Sequence, residues 1–142
     1  MSVRPGRFCW VDLAATDASR AKAFYAEVFG WSAQDQAANG GHFTRLRCGE
    51  HDIGSLYQLG STQLAGRVPS HWTPYIAVTD IEATLRHTDR AGGRVIVPPT
   101  MIDGVACIAL ASAVSNSRSR PLGVGAGSYA GGVAGSGAGR TV

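Results

Sequence analysis

Apolar and polar positions change rhythm twice in the first thirty residues. Residues 8–15 are apolar except for Asp12, the pattern of a largely buried strand. Thr16 and Asp17 then place a side-chain oxygen just ahead of a new period, as a helix N-cap requires. Ala21, Phe24, Tyr25, Val28 and Phe29 follow at helical spacing, with Ser19, Arg20, Lys22 and Glu27 on the other side. This spacing predicts a helix whose apolar stripe, Phe24 included, lies on a sheet. Gly30 stops it, since the position after a helix needs a positive φ at little cost, and Trp31 opens the next segment.

The same order recurs more faintly downstream. Residues 71–78 are again extended and apolar, Thr79-Asp80 caps, Ile81, Thr84, Leu85 and Thr88 make a thinner stripe, and Gly92-Gly93 ends it. Equivalent caps at Thr16 and Thr79 indicate duplication of a module of about sixty residues, because solenoid repeats are shorter and more numerous. Two unrelated strand-helix units in one α+β domain would give a similar pattern.

Between the repeats, residues 32–39 are polar and Asn39-Gly40-Gly41 signals a turn. Residues 42–48 and 53–59 then alternate as two strands of a hairpin, and residues 61–70 read as a linker. Beyond the second helix, residues 94–97 form a short β-branched strand that Pro98-Pro99 is expected to break, and residues 105–111 form another. From residue 112 the chain holds eight glycines and no acidic residue, a composition that favours disorder for residues 112–142. A loss of reading frame near residues 107–113 would produce such a shift.

Composition narrows the function classes. Hydrophobic residues make up 44% of 142, enough for a real core, and no apolar run is long enough to span a bilayer. The first residues lack the apolar stretch of a secretory signal, so a cytoplasmic location is expected. Cys9, Cys48 and Cys107 form no close pair, which suggests neither a disulfide framework nor a zinc cage. The net charge of +3 comes wholly from Arg118, Arg120 and Arg140, so the folded part is neutral and no nucleic-acid partner is expected.

The run Trp10-Val11-Asp12-Leu13, Thr16-Asp17, Ala23-Phe24-Tyr25 and Val28-Phe29-Gly30-Trp31 carries a family resemblance. So do residues 69–72 and 75–80, and Gly92-Gly93-Arg94-Val95 with Pro98-Pro99. Together they resemble the vicinal-oxygen-chelate superfamily of glyoxalases, bleomycin-resistance proteins and extradiol dioxygenases, in a glyoxalase-like branch often labelled hydroxylase. The resemblance implies an α+β fold in which paired βαβββ modules form an open, curved, mixed sheet. It implies one domain over residues 1–111, with module one at 7–60, the linker at 61–70 and module two at 71–111. Nothing after residue 111 matches the family's closing strand, so the second module is expected to lack its last strand and to leave an open edge at the seventh.

The resemblance also locates a site. Metal-dependent members place His or Glu on cup-facing strands, ligands suited to Fe, Zn, Ni or Mn with positions left open for substrate. Here the equivalent positions carry Trp10 and Thr73, Gly54-Ser55-Leu56 offers no carboxylate, and the last ligand belongs to the missing strand. No metal site and no cofactor are therefore expected, and a divalent metal is not supported by these positions. Alternation on the strands gives Trp10, Asp12, Phe43, Arg45 and Arg47 (or their alternates on the hairpin), His71, Thr73 and Tyr75 as ligand-binding candidates, with no catalytic residue assigned. Asp12 needs a partner within an apolar strand, and Arg45 or Arg47 could supply it. The remaining histidines, His42, His51 and His87, are expected to be exposed. The expected function is metal-independent binding of a small molecule, without nucleic acid or membrane partners and with a possible homodimer. The alternatives are a metal-dependent lyase, dioxygenase or hydroxylase, and an inactive truncated product.

Overall fold

The computed structural model describes residues 4–38, 41–102, 106–112 and 121–127. It divides into a first unit, residues 11–73, and a second unit that combines residues 1–10 with 74–142. Its elements are β1 (Phe8–Ala15), α1 (Ala18–Phe29), β2 (Ser32–Ala38), β3 (Gly41–Cys48), β4 (His51–Gln58) and α2 (Ser61–Ala65). They continue with β5 (His71–Ala77), α3 (Ile81–Arg90), β6 (Arg94–Ile102), β7 (Ala106–Ser112) and β8 (Pro121–Gly127).

In the first unit the strands lie in the order β2-β3-β4-β1, with β1 parallel to β4 and the other pairs antiparallel. In the second unit the order is β6-β7-β8-β5, with β5 parallel to β8 and the other pairs antiparallel. Strand for strand the two units have the same topology. The duplication expected from the two caps is therefore a duplication of connectivity.

Local sequence sets the helix ends. Asp17, extended at φ −142°, accepts a hydrogen bond from the Arg20 N–H at 3.0 Å, and Asp80, at φ −138°, accepts one from Ala83 at 2.8 Å. Gly30 ends α1 in the left-handed conformation at φ 68°, where its N–H donates to the Ala26 carbonyl at 2.9 Å. α1 and α3 each pack on the strands of their own unit. In the first unit Leu13, Ala15, Leu46 and Leu56 form the core beneath Ala18, Ala21 and Tyr25. In the second, Ile81 and Leu85 of α3 pack on Cys107, Ala109 and Ala111 of β7, whose small side chains leave room for the helix.

Four expectations are corrected. The second module does have a last strand: β8 pairs with β7 over seven residues and with β5 over Tyr75 to Ala77, so the seventh strand is not an open edge. That strand lies within the segment expected to be disordered, whose residues 113–120 and 128–142 fall outside the described residues, as do Asn39 and Gly40 of the expected turn. The strand after α3 is not broken at Pro98-Pro99; β6 runs on to Ile102, and register shifts between Val95 and Thr100 absorb the missing donors. The α1 stripe is also narrower than expected. Ala21 and Tyr25 face the core, whereas Phe24, Val28 and Phe29 remain 55%, 53% and 57% exposed. Two further elements had no clear signal: the polar segment after Trp31 is the strand β2, and the linker holds the short helix α2.

Candidate functional site

Register sorts the side chains of the first unit onto two faces. Leu13 pairs with Leu56 on the helix-covered face, so Asp12, opposite Ser55, points to the other face, and so does Arg45, which also pairs with Ser55. Ala14 lies opposite Tyr57, and alternation along β3 adds Phe43 and Arg47. A polar group thus collects on the face away from α1: Asp12, Phe43, Arg45, Arg47, Ser55 and Tyr57.

Its hydrogen bonds form two clusters. Ser55 Oγ donates to Asp12 Oδ1. Burial, and then the charge of Asp12, push the Tyr57 phenol above its ordinary value, so this hydroxyl stays protonated beside a carboxylate. In the second cluster, Arg47 Nε donates to Asp52 Oδ1 at 2.9 Å and Arg45 Nη1 stands 3.5 Å from Oδ2, while Arg45 Nη2 donates to Gln36 at 3.1 Å. The Asp52 side chain is almost fully buried, and its Oδ2 has no hydrogen bond among the described residues. The pairing differs from expectation here: Asp12 takes a hydrogen bond from Ser55, and the two arginines hold Asp52.

Sequence reading missed Asp52, Ser55 and Tyr57. The signal was present for two of them, because once β3 and β4 are read as a hairpin, Ser55 and Tyr57 share a face with Arg45 by period two. Asp52 was hidden in the turn, where a register shift between Leu46 and Arg47 brings it opposite Arg47.

The other candidates are more dispersed. Thr73 is buried in the first unit, and the Nδ1 of half-buried His71 hydrogen bonds the Pro69 carbonyl oxygen at 2.8 Å. Trp10 and Tyr75 belong to the second unit. Trp10 is half-buried, whereas Tyr75 is 4% exposed, its ring packed over the α-carbon of Gly123. His42, His51 and His87 are exposed, as expected.

The donor set does not suit a metal centre of the family kind. The strands that would carry it offer Trp10 and Asp12 on β1, Ser55 on β4 and Thr73 on β5, and β8 holds only Pro, Leu, Gly, Val and Ala. Among the described residues, no group of three or more His, Cys, Asp or Glu side chains could hold a metal ion. No helix among them is long and apolar enough to cross a membrane.

The helix-covered face holds a different concavity. Val11, Trp31, Leu46, Cys48, Ile53, Gly54 and Trp72 line an apolar pocket of about 360 Å³. Tyr25 binds its two tryptophans together, stacking on Trp31 at 5.3 Å and accepting the Trp72 indole N–H at 3.1 Å.

Comparison with known proteins places this geometry in context. The family model of the Glyoxalase/Bleomycin resistance protein/Dioxygenase superfamily matches residues 7–108. A protein of Mycobacterium tuberculosis named as a presumptive glyoxylase, CFP32, is 33% identical over 97 residues, 67% of this chain and 37% of its own length. The anthracycline biosynthesis protein DnrV of Streptomyces peucetius is 31% identical over 118 residues, 75% of this chain and 42% of its own. The chain therefore spans about two fifths of the curated relatives it matches. Among solved structures, a variant of Streptomyces coelicolor methylmalonyl-CoA epimerase in complex with 2-nitronate-propionyl-CoA aligns with a TM-score of 0.59 at 14% identity, covering 89% of this chain and 97% of that one. The Mycobacterium tuberculosis methylmalonyl-CoA epimerase aligns with a TM-score of 0.60 at 12% identity, over 90% and 92%. These structures share the fold.

Proposed function

We propose that this chain, which belongs to the Glyoxalase/Bleomycin resistance protein/Dioxygenase superfamily, binds a small oxygen-bearing aromatic molecule on the polar face of its first unit, without a metal. The observation that carries the reading is the convergence of Asp12, Ser55, Tyr57, Arg45 and Phe43 on one face of β1, β3 and β4. These groups suit one ligand chemistry. Tyr57 offers a protonated donor, Asp12 an acceptor, Arg45 a cation, and Phe43 an aromatic surface on which a ring can stack. Donors and acceptors of both kinds select a ring system bearing hydroxyl and carbonyl groups. Relatives named for anthracycline biosynthesis make an anthracycline, a planar hydroxylated ring system, the first probe.

The test is thermal unfolding of the 142-residue chain against an anthracycline and against a CoA thioester. A ligand at a hundred times its Kd should stabilise the protein by about 2.7 kcal/mol. Asp12→Asn and Tyr57→Phe should reduce the shift given by the anthracycline. An unchanged shift in both variants, or none in the parent protein, overturns the reading.

A further inference from the structure

The outer side of α1 carries an apolar surface that nothing in the first unit covers. Phe24, Val28 and Phe29 are each more than half exposed. Phe24 meets Tyr25 edge to face at 5.1 Å, Phe29 stacks on Trp31 at 5.3 Å, and Trp31 in turn lines the apolar pocket with Trp72. Projecting side chains and a cavity therefore sit side by side on one continuous aromatic surface. Single exposed apolar residues are ordinary, but a contiguous patch of this kind marks an interaction surface.

The charges around the patch indicate what covers it. Arg20 lies four residues before Phe24 and Glu27 three residues after, so both flank it on the outer side of the helix. Both are exposed, and neither side chain has an ion-pair partner among the described residues. Seven residues, two helical turns, separate them, too far for contact within one helix. A second α1 packed antiparallel, with the two-fold axis between positions 23 and 24, brings Arg20 of each helix onto Glu27 of the other. A closed two-fold interface requires a surface complementary to itself, and the spacing of Arg20 and Glu27 gives this stripe that property in charge.

We propose that α1 is a self-docking surface: two copies of the chain associate through antiparallel α1 helices, with Phe24 of each helix beside the two-fold axis and reciprocal Arg20–Glu27 pairs on either side of it. This replaces the expected association through the seventh strand, whose edge β8 occupies.

Sedimentation velocity of the full 142-residue chain across a concentration series tests the proposal, with circular dichroism as the control for folding. The parent chain should show a reversible monomer–dimer equilibrium, and Phe24→Glu should abolish the dimer. Arg20→Glu and Glu27→Arg should each weaken dimerisation about tenfold, because each turns two attractive contacts into two repulsive ones. Combining the two substitutions restores opposite charges across the axis and should return affinity to near the parent value. A chain that stays monomeric, a dimer indifferent to Phe24→Glu, or a double variant as weak as the singles would each overturn the proposal.

Discussion

Gly123→Ala should destabilise the second unit, and the reason lies in a single side chain. Gly123 pairs with Tyr75 across β8 and β5, and a Cβ at position 123 would fall on three atoms of the Tyr75 ring. That ring is only 4% exposed, so it has little room to swing away. Overpacking of this kind costs about 1–3 kcal/mol, more than the gain of up to about 1 kcal/mol that alanine brings by restricting the unfolded chain. Gly66→Ala provides the control: at φ −74°, with its nearest contacts at 3.4 and 3.5 Å, it accepts a methyl group without strain. Urea unfolding should then show Gly123→Ala less stable than the parent and Gly66→Ala equal or slightly more stable. In a Tyr75→Ala background, where the clash is gone, the cost of Gly123→Ala should vanish, giving a coupling of about 0.5–3 kcal/mol. Equal stabilities for Gly123→Ala and Gly66→Ala, or additive losses with Tyr75→Ala, would refute the packing of β8 against β5.

Two further outcomes follow from the first unit. Tyr57 has a folded-state pKa raised above 10.0, so the stability it contributes is fully present below that pH and is lost as pH rises through the folded value; Asp12→Asn removes one raising charge and should lower the Tyr57 midpoint in an ultraviolet tyrosinate titration. An unmoved midpoint would separate Asp12 from Tyr57. Leu56→Ala empties a fully buried position and should cost about 2–5 kcal/mol, whereas Phe24→Ala in dilute solution should cost about 1 kcal/mol or less; similar losses in chemical unfolding would place Phe24 in the core after all.

What could be read from the sequence was what local chemistry determines. Asp17 and Asp80 as caps, Gly30 as a stop and the stripe of Ile81 and Leu85 depend on neighbours within a few residues, and all appear in the structure. The family resemblance followed from the same local runs. The features missed depend on strand partners far away in the chain. β8 reads as a loop because glycine occupies positions 123, 125 and 127, yet Gly123 is there because the Tyr75 ring lies over it. Pro98 and Pro99 read as a break because the register shifts that accommodate them are set by β7. The helical period assigned Phe24 to the apolar stripe without fixing how wide a stripe the sheet can cover. On the polar face, period two put Phe43, Arg45 and Arg47 together but left open whether they or their alternates share the side of Asp12, and that choice, like the partners Ser55 and Asp52, emerges only from strand register.

Amide chemical-shift mapping by nuclear magnetic resonance, with an anthracycline titrated into the isotope-labelled chain, would locate a bound ligand residue by residue. Saturable shifts should concentrate at Asp12, Phe43, Arg45, Ser55 and Tyr57, on the face away from α1. Shifts concentrated instead at Trp31, Cys48, Ile53 and Trp72 would place the ligand in the apolar pocket on the opposite face and rule out the polar face as the binding site, and a spectrum unchanged at saturating ligand would rule out binding of this ligand.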